Sequence, residues 1–355
     1  MVPLKQTIPI LSNFLIEARN GKLTLIATDL TVGIECTTEV KVLEDGATTL
    51  PTKKFAQLIH ELTGVNVQFN TSQNDITEIV CGTSRFKVNG MSKTEYPALP
   101  DLTQAIQLQV KQSDLKDALM RTAFAVSKDD NRYTLTGVYM QINNGAATFT
   151  GTDGKRLARC RLAIDIDPTI STQAIIPLKA VEEIAKNLTN EGEATLHVMH
   201  DKIACQANDT RIISKLLVGE YPDVTKVIPE KSNVLIPLHR EELISLLRQM
   251  CLFTTTENHS ARFSFRSGEL NLDANANELG EGKVNMAVNY QGDSLDIAFN
   301  PHYFLDILRH CKGDTVSLGL VDSFNPGLIT DQEAAADLQI NANPLFMLMP
   351  LRLSE

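Results

Sequence analysis

The chain writes one unit three times, and that repeat constrains its fold more than any single motif, because each copy must bury the same faces. The stretches KLTLIATDLT (Lys22 to Thr31), AATFTGTDGK (Ala146 to Lys155) and ELNLDANANE (Glu269 to Glu278) share alternating apolar positions leading into a small polar step. Thr28, Thr152 and Asn275 align at spacings of 124 and 123 residues. Downstream, LPTKKFAQLIHEL, IPLKAVEEIAKNL and FNPHYFLDILRHC correspond, with Pro51, Pro177 and Asn300 spaced by 126 and 123. EYPALP (Glu95 to Pro100) answers EYPDVTKVIP (Glu220 to Pro229), and these Pro-containing stretches mark linkers. The repeat divides the chain into 1–102, 103–228 and 229–355.

Within a unit the pattern reads helix, strands, helix, strands. The second helices carry one apolar face each: Phe55, Leu58, Ile59 and Leu62; Val181, Ile184, Ala185 and Leu188; Phe304, Ile307, Leu308 and Cys311. First helices are legible in two units, at Leu115, Ala118, Leu119 and Thr122 and at Leu243, Leu246, Leu247 and Met250. Short period-2 runs such as VYMQINN, IISKLLV and ARFSFRS suit antiparallel strands with one buried face. The fold class is α+β, with two helices per unit packed on antiparallel sheets. Unit one departs from this pattern. Before a strand expected at Pro9 to Leu15 it has only MVPLKQTI, where the other units spend about thirty residues on an opening strand and helix. Either the unit starts further upstream or it has adapted; unchanged, it would expose the apolar faces of the partner strand and helix.

Length allows two or three domains with a sizeable core in each. No apolar run suits a signal segment or a membrane span, which points to a cytoplasmic protein. Six scattered cysteines, without CxxC or ligand spacing, read as buried or half-buried thiols, implying neither disulfides nor a metal. The sequence has no phosphate-binding glycine loop and no HExxH. His197 and His200 read as residues of a surface strand, and Asp29 and Asp153, which recur at one repeat position, as strand-end turn residues. A non-enzymatic scaffold without cofactors is the expectation. The net charge of −10 disfavours a polyanion partner on average, yet leaves room for basic residues gathered on one surface.

The motifs IPILSNFL, TDL, TDGKRLA, GATTLPTKKF, SRFKVNG, RYTLTG, SKLLVGEYPDV and MPLRL, in this order, resemble the bacterial sliding-clamp family, the beta subunits of replicative DNA polymerase III. The resemblance implies a head-to-tail homodimeric ring of six domains that encircles double-stranded DNA without reading sequence, with helices lining the hole. The five helices legible here carry a combined charge of +3, a modest basic bias suited to sliding. It places Lys5, Lys53, Lys54, Lys116, Lys128, Arg132, Tyr133, Lys179 and Arg240 at the DNA-facing surface. It also implies a cleft for short extended Gln- and Leu/Phe-containing peptides of the polymerase catalytic subunit, the clamp loader and repair proteins. The matching cleft positions are Leu135, Thr152, Gly154, Lys155, Arg156, Leu157, Pro222, Lys226, Val227, Met347, Met349, Pro350, Leu351 and Arg352. Lys226 stands where the family more often has Arg, so a bidentate contact is not available there. For the dimer contact the resemblance points to Phe86 and Val88 meeting Leu252 and Phe253, flanked by Glu278 and Glu281.

Overall fold

The computed structural model describes residues 8–255, 258–276, 279–331 and 342–352. The first repeat contributes β1 (Asn13–Arg19), β2 (Lys22–Thr28), β3 (Val32–Glu39), β4 (Gly46–Pro51), α1 (Thr52–Glu61), β5 (Gln68–Thr71), β6 (Ile76–Cys81) and β7 (Ser84–Asn89). The second contributes β8 (Ile106–Lys111), α2 (Gln112–Ala123), β9 (Gly137–Asn143), β10 (Ala146–Thr152), β11 (Arg156–Ala163), β12 (Thr172–Pro177), α3 (Leu178–Asn187), β13 (Glu193–Val198), β14 (Lys202–Ala207) and β15 (Thr210–Lys215). The third contributes β16 (Val234–His239), α4 (Arg240–Cys251), β17 (Ala261–Arg266), β18 (Glu269–Ala276), β19 (Gly280–Ala287), β20 (Leu295–Phe299), α5 (Pro301–His310), β21 (Thr315–Leu320), β22 (Gly327–Thr330) and β23 (Leu345–Leu348). All five helices read from the sequence are present. The strand expected from Pro9 begins instead as a 3-10 turn, Pro9–Ser12, because proline has no N–H for a ladder; the strand starts at Asn13.

Packing groups the chain into two compact units, Met1–Ser113 with Glu183–Leu216, and Asp114–Glu182 with Leu217–Glu355. In the first unit an antiparallel sheet runs β4-β1-β2-β3-β15-β14-β13-β8, and a smaller one runs β5-β6-β7. In the second unit the order is β12-β9-β10-β11-β23-β22-β21-β16, beside a sheet β19-β18-β17-β20. Each eight-stranded sheet joins half of one repeat to half of the next. The seams are β3 against β15 (Ile34 opposite Ile212) and β11 against β23 (Leu157 opposite Met347).

The repeated T-D step has one physical job in both units. Thr28 Oγ1 donates to the Val32 carbonyl and Thr152 Oγ1 to the Arg156 carbonyl, at 3.0 and 2.6 Å. Asp29 Oδ1 accepts from the amides of Thr31 and Val32, and Asp153 Oδ1 from those of Lys155 and Arg156. These are turn-closing contacts, the role the sequence assigned. The residue after each aspartate has positive φ, 72° at Leu30 and 81° at Gly154; only glycine takes it without steric cost.

The exposed faces foreseen for repeat one are present. In the second unit α5 buries Phe304, Leu305, Ile307 and Leu308 and packs against α4, and β21 pairs with β16 on one side and β22 on the other. In the first unit α1 buries no residue, and Phe55 leans on Phe14 and Phe69 with ring centroids at 4.8 and 5.9 Å. Strand β5 has a single partner, β6, and all four of its residues are exposed. His197 corrects the surface reading. It lies on an interior strand of its sheet, 9% exposed, with neither ring nitrogen hydrogen-bonded, and burial followed by the charge of Arg211 lowers its pKa. His200 is exposed.

Candidate partner-peptide cleft and charged surfaces

The residues named from the sequence as a cleft fall within the second compact unit, where the β11–β23 seam sets Arg156 and Leu157 against Leu348 and Met347. Leu157 and Met347, directly opposite in the ladder, form a buried apolar cluster with Ile228, Leu328 and Leu345, against which Val224 and Met349 pack. Beyond the ladder the seam continues: the Met349 amide donates to the Lys155 carbonyl at 2.9 Å, and the Leu351 amide to the Ala298 carbonyl at 2.8 Å. This tacks the C-terminal strand onto β20 and leaves Leu351 37% exposed. Pro222, Lys226 and Val227 stand on the rim, all exposed, with the Lys226 ammonium 3.3 Å from Asp223. Thioether and aliphatic walls of this kind adapt to differing apolar side chains.

Beside this apolar floor a cavity of ≈ 730 Å³ is lined by Asn131, Arg132, Tyr133, Thr134, Leu135, Glu220, Tyr221, Pro222 and Asp223. Arg132 and Tyr133 were assigned to DNA by resemblance; the structure places both on the wall of this cavity. The Arg132 guanidinium donates to the Asp153 carbonyl at 2.8 Å, and an atom added as a Cβ on Gly154 would lie 2.5 Å from it. Glycine at 154 therefore serves both the turn and the approach of Arg132.

Arg156 is the first residue of β11. It is 7% exposed, a buried cation compensated from several sides: Nε to Asp153 Oδ2 at 3.2 Å, Nη1 to Asp306 Oδ2 at 2.8 Å and Nη2 to the Phe124 carbonyl at 2.9 Å. Its guanidinium also lies 4.5 Å from the Tyr303 ring centroid and 5.3 Å from that of Phe124. Tyr221 stacks on Tyr139 at 4.5 Å, and burial raises its pKa. Sequence reasoning missed Phe124, Tyr221, Tyr303 and Asp306. A signal existed for Tyr303, since the repeat register puts Lys54 and Ala180 at its position, so the aromatic is peculiar to unit three.

Of the other cations, Lys53, Lys54, Lys128 and Lys179 are exposed, and Lys116 is half-buried on α2. Arg240 does not belong with them. Its Nε and Nη1 donate to the carbonyls of Gly313 and Leu308, closing the end of α5, and Nη2 pairs with Glu241 at 2.7 Å. Lys5 and Glu278 lie outside the described residues.

For the dimer contact, β7 and β19 are edge strands of their sheets. Phe86 and Val88 on β7 are half-buried, while Leu252 is 72% exposed. Phe253 packs within its own unit: a Cβ on Gly282 of β19 would meet its ring at 2.6 Å. Glu281 is exposed and pairs with Lys283 at 3.6 Å.

A triplicated α+β unit whose half-sheets join from one repeat to the next defines a clamp-type protein. Comparison with known proteins agrees along the whole length. Models of the N-terminal, central and C-terminal domains of the DNA polymerase III beta subunit match residues 1–100, 109–223 and 225–347. A beta sliding clamp from Chlamydia pneumoniae is 49% identical over 355 residues, covering 100% of this chain and 94% of that protein. A crystal structure of the DNA polymerase sliding clamp from Pseudomonas aeruginosa with ligand superposes with TM-score 0.92 at 27% identity, covering 99% and 94% of the two chains. A sliding clamp from the same organism bound to griselimycin superposes equally well, with TM-score 0.92 at 28% identity and the same coverage. The chain belongs to the beta sliding clamp family, the beta subunits of DNA polymerase III.

Proposed function

We propose that this chain closes with a second copy, head to tail, into a non-enzymatic ring that slides on double-stranded DNA and tethers the replicative polymerase catalytic subunit, the clamp loader and other cleft-binding proteins. The observation that carries ring closure is the bookkeeping of strands. β3 pairs with β15 and β11 with β23, so the first sheet of one repeat always joins the second sheet of the next. Two half-sheets are left over: β19 at the edge of the first sheet of repeat three, and β7 at the edge of the second sheet of repeat one. By the same register they are partners for one another in different copies, which is a heterologous, closing contact. Leu252, Phe86 and Val88 supply its apolar part, with Glu281 at its rim. Repeats 1–102, 103–228 and 229–355 are the domains of this ring.

Retention by topology needs only loose phosphate contacts from exposed Lys53, Lys54, Lys128 and Lys179, which suits sliding. No helix among the described residues is long and apolar enough to cross a membrane, in keeping with work in the cytoplasm.

The cleft at the β11–β23 seam is the partner site. The β3–β15 seam offers no second one: Gly33 stands at the position of Leu157, and a Cβ there would lie 2.5 Å from Leu99 of the linker, which fills that space itself. The test is fluorescence anisotropy with a labelled peptide carrying Gln, Leu and Phe. Deleting residues 351–355 removes the Leu351 contact with Ala298, so peptide binding is lost while the oligomeric mass stays unchanged. Affinity retained in the truncated chain would refute the assignment.

A further inference from the structure

His310, the last residue of α5, stacks its ring on Phe124 with centroids 4.0 Å apart and planes 10° from parallel. Its Nδ1 donates to the Asp306 carbonyl at 2.8 Å, which fixes the neutral ring's proton on that nitrogen. Phe124 thus contacts both the imidazole and the Arg156 guanidinium, which lies 5.3 Å from its ring centroid, and its own carbonyl accepts from Arg156. Asp306 completes the circuit, since its carboxylate holds Arg156 and its carbonyl holds His310. The repeat register puts Glu61 and Asn187 at the position of His310, so the histidine is not a requirement of the repeat.

We propose that His310 is a positioning residue for the partner-peptide cleft: its neutral ring holds Phe124 against Arg156, and placing a proton on it loosens that arrangement and weakens peptide binding. The inference deepens the cleft reading and rests on it.

The charges facing the ring come from three elements. Arg121 of α2 and Arg156 of β11 oppose a further positive charge, whereas Asp306 of α5 itself favours it. Burial and the two arginines outweigh Asp306, so the ring's pKa lies below its ordinary 6.5 and it is neutral at pH 7.5. Acidification through that lowered pKa puts a third cation beside Arg156. The adjustment falls on the cleft because Arg121 is anchored elsewhere, between Asp117 and Asp331.

The experiment measures affinity for an acetylated, amidated peptide carrying Gln, Leu and Phe, and no group that titrates between pH 5 and 8, at constant ionic strength. Wild type is expected to bind more weakly as the pH falls from 7.5 through the lowered His310 pKa, by about two- to ten-fold once the ring is protonated, the range a lost aromatic stack implies. His310→Phe keeps the stack without the titration; it binds like wild type at pH 7.5 and has a flat profile. His310→Ala loses several-fold affinity at pH 7.5. A His310→Phe profile that falls as steeply as wild type would overturn the proposal, as would a His310→Ala chain that binds like wild type at every pH. A wild-type chain that binds no peptide at any pH would instead remove the cleft reading beneath it.

Discussion

Phe55 and Phe304 occupy the same repeat position on α1 and α5, and the structure gives them unequal surroundings, so truncating each to alanine measures that difference. Phe304 is fully buried, with Phe263 and Phe299 rings at 5.4 and 5.9 Å. Phe304→Ala leaves a cavity that rigid neighbours cannot fill and costs about 3–5 kcal/mol. Phe55 is only half-buried, on a helix with no buried residue. Its truncation forfeits a fraction of that apolar area, about 1–2 kcal/mol at ~25 cal/mol per Å². Because the chain packs as two compact units, one global unfolding energy is not well defined. Native-state hydrogen exchange read separately over α1 and α5 is the suitable assay. Amides of α1 should exchange faster than those of α5 in wild type, and the loss of protection in Phe55→Ala should be the smaller by about 2 kcal/mol. Equal losses would refute the reasoning, since they would mean that the apolar face of α1 is covered in solution.

Leu252→Asp with Phe86→Asp puts charge at the exposed end of α4 and on the unpaired edge strand β7, and sedimentation should then give a monomeric mass; a persisting dimer excludes these residues from the contact. Neutralising Lys53, Lys54 and Lys128 together should flatten the salt dependence of retention on circular DNA, by close to one unit of slope per lost phosphate contact, whereas Arg240→Gln should leave the slope unchanged. Arg121→Leu strips Asp331 of its buried partner at 2.7 Å and should destabilise the second unit by about 3 kcal/mol or more in urea unfolding. Burial raises the Asp331 pKa, but the Gly313 and Lys312 amides and Arg121 more than offset it, leaving the net value below 3.8. That contribution to stability is therefore present at neutral pH and is lost on acidification below about 3.8, through the folded pKa.

The sequence by itself determined the repeat, its register and five helices, because each copy buries the same apolar positions, and periodicity records what is buried. It also implied that a first repeat without an opening strand and helix would, unchanged, expose the apolar faces beside them, and α1 and β5 carry such uncovered faces. The role of Asp29 and Asp153 followed from recurrence, and the structure gives them the turn contacts that recurrence implied.

Only the tertiary structure decided which polar groups are already engaged. Arg240 and Lys53 look alike in a sequence, but the carbonyls ending α5 claim the first and leave the second in water. Arg132 and Tyr133 read as a basic loop until the chain carries them to the wall that also holds Leu135 and Pro222. His197 has the spacing of a surface strand, yet the tertiary structure buries it on β13. The contacts of Phe124 with His310 and Arg156 join segments that are far apart in the chain, and no local pattern encodes them. Apolar burial is written along the chain with a period; a hydrogen-bond partner supplied by a distant strand has none.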